Sequence, residues 1–434
     1  MKRDLYHRLL QWKQDPERQP LLVQGARQVG KTYLLKEFGA QEYKKCCYVN
    51  FEEMPMCKSF FEKDLQPHRI LRDLGIHLEM QIDPATTLII FDEIQECPNA
   101  LTSLKYFCEH APEYFVTAAG SLLGVKLSKA RGFPVGKVHF CHLFPMSFFE
   151  FLDATGRPML RALLEEITTF EPLAQPHHEQ LLELLKLYFY VGGMPKPILR
   201  YVQTGDLNVV RETQEDILKA YIYDFAKHAP PSLVMKITQI WDSIPIHLGR
   251  ENKKFVFSAL KKSARARDYE EALQWLLDAE LIYRANQIST PKLPLKSYGD
   301  QEAFKIYLLD VGLLAAMCRL PARVIVEGDQ LFVEFKGSFT ENYAAQALQA
   351  AHGGPLHYWS SEREAEVDFL LESKGELFPL EVKSGTSTKK KSLLVYQEKY
   401  HPRMLSRSSL MNLKKDGDLC NYPLYLISRF PLLF

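Results

Sequence analysis

The stretch that most limits what this chain can fold into is Leu21 to Leu35, LLVQGARQVGKTYLL. An apolar run, Leu21-Leu22-Val23, leads into Gly25-Ala26-Arg27-Gln28-Val29-Gly30-Lys31-Thr32, after which Tyr33, Leu34, Leu35 and Phe38 fall at helical spacing. That order is strand, loop, helix. Gly25 and Gly30 release the loop from the steric limits of a Cβ, so successive backbone N–H groups can turn inward around an anion. The helix that follows adds its positive end and its unpaired donors. The loop fits G-x-x-x-x-G-K-[ST], which predicts a cradle for a nucleotide triphosphate built from Gly25 through Tyr33, with Lys31 on the β/γ-phosphates and Thr32 on Mg²⁺. A glycine turn before a helix is the plainer reading, and the strand and helix on the correct sides argue against it.

Acidic residues at the end of a second strand support the same chemistry. Cys46 to Phe51 has strand character, and the most apolar run of the chain, Thr87-Leu88-Ile89-Ile90-Phe91, closes in Asp92-Glu93. Continuous apolar residues over strand length suit a central parallel strand covered on both faces. Acids at its C-terminal end lie where open α/β sheets bind ligands. Asp92 is the expected Mg²⁺ partner and Glu93 the expected base for an attacking water. The competing reading is an acidic start to the next helix. A further strand, Tyr114 to Thr117, ends in Ala118-Ala119-Gly120-Ser121; Ser121 is a candidate for reaching the γ-phosphate or its water, and a helix N-cap accounts for it equally. Gly136 to Leu143 gives a last strand and Pro145 to Leu152, PMSFFEFL, an aromatic-rich helix.

At 434 residues the chain exceeds one core and suggests two to four domains. The net charge of +1 gives no global pull towards nucleic acid, so any such site would be a local patch. No apolar run approaches the length of a spanning helix and the start lacks a signal-peptide core, from which no membrane association and a cytoplasmic location are expected. The 8 cysteines show no ligand or disulfide spacing and read as reduced packing residues.

Past Phe170 the pattern is helical, up to a bend at Val191-Gly192-Gly193-Met194-Pro195. Farther on, Phe255 to Leu260 and Tyr269 to Ala279 are expected as helices, and Leu281 to Arg284 with Ala303 to Leu309 as a hairpin. Helix, helix and wing in that order resemble a winged helix-turn-helix. Glu270 and Glu271 stand where such a helix would meet DNA, with the wrong sign for phosphates. Lys253, Lys254, Lys261, Lys262, Arg265 and Arg267 could grip a backbone or form a solvated basic face. In the C-terminal part, Glu341 lies in a helix-like run, Asp368 starts a hairpin strand, and Glu381 and Lys383 sit two apart on the next, hence on one face. Asp368 and Glu381 could hold one or two Mg²⁺ ions, with Lys383 positioning a water for phosphodiester cleavage. Cross-strand charge pairing is the structural alternative. Basic residues Lys389, Lys390, Lys391, Lys399, Arg403, Arg407, Lys414 and Lys415 could track phosphates.

The series GARQVGKT, YVNFEE, LIIFDEIQ, TAAGS, GKVHF and PMSFFEFL resembles the AAA-type P-loop ATPases of the archaeal-ATPase-like group. The resemblance implies a five-stranded parallel sheet with the acidic strand between the phosphate-loop strand and the nucleotide-facing edge. It also implies a lid that opens at the GGMP segment. The family usually carries Gly-Arg where Gly136-Lys137 stands; Arg131 is the substitute candidate for an arginine acting on a neighbouring subunit of a homo-oligomer. EVDFLL with LEVKSG resembles the PD-(D/E)xK restriction-endonuclease-like fold, specifically the domain of unknown function that follows this ATPase type.

The expected fold class is α/β: a P-loop NTPase parallel sheet over residues 1–155, a helical lid over 156–205, a helical and winged-helix domain over 206–325, and a small α/β restriction-endonuclease-like domain over 326–434. The expected function is Mg²⁺-dependent ATP binding and hydrolysis coupled to a conformational change in the later domains. The alternatives are an ATP-gated, metal-dependent DNA nuclease, and an ATP-switched docking protein for DNA or a protein partner.

Overall fold

The computed structural model describes residues 1–121, 136–250, 253–322, 330–361, 365–385 and 390–432. Arg131 and Lys389 lie outside the described residues. The chain divides into two compact units, Met1–Phe144 with Asp278–Glu280, and Pro145–Leu277 with Leu281–Phe434.

The first unit is built on five parallel strands: β1 (Leu21–Gln24), β2 (Lys45–Asn50), β3 (Thr87–Asp92), β4 (Phe115–Ala119) and β5 (His139–His142), in the spatial order β2-β3-β4-β1-β5. Helices α1 (Leu5–Gln14), α2 (Lys31–Glu42), α3 (Pro67–His77) and α4 (Pro98–His110) accompany it. All six residues of β3 are buried, as a central strand requires. Leu22, Val49, Phe51, Ile89, Phe91, Leu104 and Phe107 share one apolar core. This sheet with its helices fits the expected P-loop NTPase class. The acidic strand β3 lies between β1 and the β2 edge, with β4 interposed, so the ends of β1, β4 and β3 are neighbours.

The second unit departs from expectation in two places. Phe255 to Leu260 forms only a short 3₁₀ turn, Phe257–Ala259, where a helix was expected. Its backbone is engaged elsewhere: the Phe255 N–H donates to Phe304 O at 2.8 Å, and the Phe255 ring stacks on Phe304 with centroids 5.5 Å apart and on His247 at 4.4 Å. Tertiary pairing with a strand overrides local helical propensity here. The next helix is present as Ala266–Asp278.

The hairpin forms as β6 (Ile282–Ile288) and β7 (Gly299–Leu308), antiparallel. β6 also pairs in parallel with β8 (Leu356–Ser360), which pairs with β9 (Glu366–Val367). The strands read as a wing therefore belong to a four-stranded sheet, β7-β6-β8-β9, that leads to the C-terminal carboxylates. A further sheet, in the order β10-β11-β12-β14-β13, comprises β10 (Phe369–Ser373), β11 (Glu376–Val382), β12 (Leu405–Ser409), β13 (Lys414–Asp416) and β14 (Leu419–Pro423). Among the described residues no helix is long and apolar enough to cross a membrane, and all eight cysteines are free.

The paired glycines expected to mark a bend do so for a steric reason. Gly192 ends helix Gln175–Val191 at φ +75°, and a Cβ on it would lie 2.3 Å from Asp310 Oδ1. The Gly193 N–H donates to Asp310 Oδ2 at 2.6 Å. Asp310 also caps helix Val311–Met317 through the Leu313 N–H at 2.9 Å and accepts from Gln346 Nε2 at 3.3 Å. Gln346 Nε2 donates in turn to the Tyr188 hydroxyl at 3.0 Å. One buried carboxylate thus joins the bend to two helices.

Burial pushes the Asp310 carboxyl up from 3.8 to about 6, although every hydrogen bond it accepts favours the charge. A raised pKa means that the folded protein holds the proton more tightly than the unfolded chain. This contribution to stability is complete below about pH 4 and is lost as pH rises through about 6. Denaturant unfolding of wild type and Asp310→Asn across that window should show wild type losing on the order of 2 to 3 kcal/mol relative to the variant. A difference that stays flat with pH would exclude Asp310 as the titrating group.

Candidate nucleotide site

The end of β1 and the start of α2 shape the loop. Gly25 has φ +150°, and a Cβ there would fall 2.3 Å from Leu143 O, the residue that follows β5. Gln28 (φ 70°) and Gly30 (φ 96°) also take left-handed conformations, and Gly30 is the residue from which α2 begins. Arg3 fastens the loop from below, donating through Nη1 to Val29 O at 2.7 Å and through Nη2 to Phe144 O at 2.6 Å. Ala26 and Val29 are buried, Arg27 lies 4.0 Å from Glu52, and Tyr33 is exposed on α2.

Lys31 is buried and its Nζ donates to Gly25 O and Ala26 O, both at 2.8 Å, so the ammonium sits inside the loop that it closes. Burial pushes its pKa down to about 8 against the pull of Glu93 and Asp92, which leaves the amine largely charged at neutral pH. The loop thus encloses one buried cation at the start of α2.

Asp92, 2% exposed, receives three neutral donors. The Thr32 hydroxyl reaches its Oδ2 at 2.7 Å, the Tyr48 hydroxyl reaches the same oxygen at 2.9 Å, and the Glu93 N–H reaches Oδ1 at 3.0 Å. The hydroxyl of Thr32 and the buried carboxylate of Asp92 therefore stand side by side. That oxygen donor set fits Mg²⁺ carried by a nucleotide.

Glu93 takes a left-handed conformation, φ 48°, at the end of β3. A non-glycine residue held there costs roughly 1 kcal/mol or more and is concentrated at functional sites. Its Oε2 accepts from the Ser121 hydroxyl at 3.3 Å and from Gln95 Nε2. Lys31, Thr32, Asp92, Glu93 and Ser121, drawn from three separate stretches of sequence, are brought into one site.

Sequence reasoning missed Arg3, Tyr48 and Gln95. Tyr48 carried a signal, since it alternates with buried Cys47 and Val49 on the strand beside β3 and lies near the C-terminal end where ligands bind. Gln95 stands two residues past Glu93 and nothing in its spacing marks it. Lys137, at the position where an arginine is usual, pairs with Glu109 at 3.1 Å within its own unit.

The C-terminal candidates are differently placed. Lys383 pairs with Glu381 at 2.7 Å, as two residues on one strand face would, and Asp368 Oδ2 accepts the Val382 N–H at 2.7 Å. Glu341 is bound by Lys253, Lys305 and the Tyr307 hydroxyl. Among the described residues no group of three or more His, Cys, Asp or Glu side chains is placed to hold a metal ion. Two basic residues expected to meet phosphates are engaged inside: Lys253 with Glu341, and Arg407, 4% exposed, with Asn421 Oδ1 at 3.3 Å.

Residues 17–152 match a family model described as an AAA domain. Residues 182–324 and 336–425 match two models that are each described as a domain of unknown function. No curated protein matches the sequence. Among solved structures, similarity extends to the Walker-type ATPase PABY2304 of Pyrococcus abyssi, at 16% identity and TM-score 0.44 over 73% of this chain and 95% of that one. It extends also to the Orc1 protein of Aeropyrum pernix in complex with DNA, at 13% identity and TM-score 0.28 over 74% and 92%. Similarities this distant carry no argument about partners or activity. The AAA-domain match and the sheet topology together support an AAA-type P-loop ATPase in the first part of the chain.

Tyr48→Phe removes one of the three donors on a buried carboxylate. Unfolding of the variant in urea should show a loss of about 1 to 3 kcal/mol. Unchanged stability would mean that Asp92 does not depend on the phenol.

Proposed function

We propose that this protein binds ATP with Mg²⁺ and hydrolyses it, and that the change on hydrolysis is passed to the later part of the chain. The observation that carries the proposal is Glu93, one residue beyond the Mg²⁺ candidate Asp92, held out of ordinary backbone geometry with its carboxylate tied to Ser121. The loop N–H groups and Lys31 hold the phosphates. When bound, Mg²⁺ would be held by Thr32 and Asp92 and would draw off charge that develops on the phosphates. Both hydrogen bonds from Ser121 and Gln95 fall on Oε2 of Glu93, which leaves Oε1 to accept a proton. Glu93 takes that proton from water as the water oxygen attacks the γ-phosphorus, the bond to the β–γ bridging oxygen breaks, and ADP and phosphate result.

For the C-terminal module we favour the docking reading over phosphodiester cleavage, because Lys253 and Lys305 already neutralise Glu341. DNA cleavage in the presence of Mg²⁺ or Mn²⁺ and ATP, lost in Lys383→Ala, would reverse that choice. The ATPase reading itself is tested by phosphate release and nucleotide binding on purified protein. Glu93→Gln should lower kcat by roughly 100-fold or more and keep ATP binding, whereas Lys31→Ala should lose binding. Wild-type turnover in Glu93→Gln would remove Glu93 from the mechanism.

A further inference from the structure

Lys305 stands in the apolar part of β7, Phe304-Lys305-Ile306-Tyr307-Leu308, and its side chain has 0% exposure. A lysine so placed needs partners for its charge. Its Nζ donates to Glu341 Oε1 at 3.0 Å and to Glu366 Oε1 at 2.6 Å, and lies 4.8 Å from the centre of the Tyr358 ring. Burial works against the ammonium, yet Glu341, Glu366 and Asp368 raise its pKa well above the ordinary lysine value.

Glu341 is occupied at both oxygens. Oε1 receives Lys305 and the Tyr307 hydroxyl, the latter at 2.5 Å, and Oε2 receives Lys253. Two carboxylates, Glu341 and Glu366, are thus met by two ammonium groups, Lys305 and Lys253. A divalent cation at Glu341 would have to displace two charged donors and a hydroxyl from one carboxylate. Glu381 Oε2 is buried without a hydrogen-bond partner, but its Oε1 is bound to Lys383, and one oxygen is no metal site. The residues present do not fit the Mg²⁺ that their sequence pattern implies.

We infer that the side-chain ammonium of Lys305 is the resident cation of the Glu341/Glu366/Asp368 cluster and takes the place of a divalent metal at Glu341. The inference concerns the second unit alone and stands whether or not the protein hydrolyses ATP.

Mn²⁺ titration of the nucleotide-free, EDTA-treated full chain, followed by electron paramagnetic resonance, tests it. Wild type, Glu341→Gln and Glu381→Gln should bind the same number of Mn²⁺ ions, and EDTA should leave the wild-type Tm unchanged. Lys305→Met should gain one Mn²⁺ equivalent, lost again when Glu341→Gln is added. Wild-type Mn²⁺ binding that disappears in Glu341→Gln or Glu381→Gln, a Tm lowered by EDTA, or a folded Lys305→Met with no gained site would each overturn the inference. If Lys305→Met does not fold, the wild-type, Glu341→Gln and Glu381→Gln titrations decide alone.

Discussion

Asp92 is the constraint on which the first unit depends. Its carboxylate is buried, and it stays compatible with the fold because α2 delivers Thr32, β2 delivers Tyr48 and the turn after β3 delivers the Glu93 N–H to its two oxygens. Each donor comes from a different element, so the carboxylate fixes the relative placement of the phosphate loop and two strand ends. A one-residue slip of β3 would send the acid to the opposite face of the sheet. β3 is apolar and buried on both faces, so burial alone does not select its register; the pairing of Asn50 with Asp92 across β2 and β3 and the three donors on the carboxylate do. The acid and the loop therefore fix one another.

Asp310 and Lys305 extend the same logic to the second unit, with opposite electrostatic outcomes. Asp310 is held by N–H groups and an amide, all neutral, and burial wins: its carboxyl is pushed up. Lys305 is held by full charges, and those charges win over burial. Identity of partner, more than depth of burial, decides whether an interior ionisable group keeps its charge. The two groups sit close in sequence, on β7 and at the cap that follows it, and both join segments distant along the chain.

The phosphate loop and the order of strand, acid pair and strand were legible because the signals are local: two glycines at fixed spacing, a fully apolar run, acids at its end. Local signals failed where the backbone found a distant partner. Phe255 to Leu260 has helical composition but bonds to Phe304, and β6 lies beside β8, a strand some seventy residues later that no periodicity in the hairpin announces. Tyr48 was visible only as a polar residue alternating on a strand, and Gln95 not at all. Basic residues were the least legible, because a lysine or arginine reads alike whether it faces solvent or is turned inward, as Lys253 and Arg407 are.

The C-terminal carboxylates show what a spaced motif does and does not specify. Asp368, Glu381 and Lys383 were picked out by spacing and Glu341 by the resemblance that this spacing carries, and Glu381 and Lys383 do share a face. The motif says which acids gather and is silent on which cation answers them. That cation is supplied by residues 88 and 36 positions before Glu341, outside any window the motif defines. One trace was nonetheless present in the sequence: Ala303-Phe304-Lys305-Ile306-Tyr307-Leu308-Leu309 is an apolar strand interrupted by one lysine. A charge in such a run has to be paired or neutralised, so the lysine points to carboxylates elsewhere in the chain before any of them is identified.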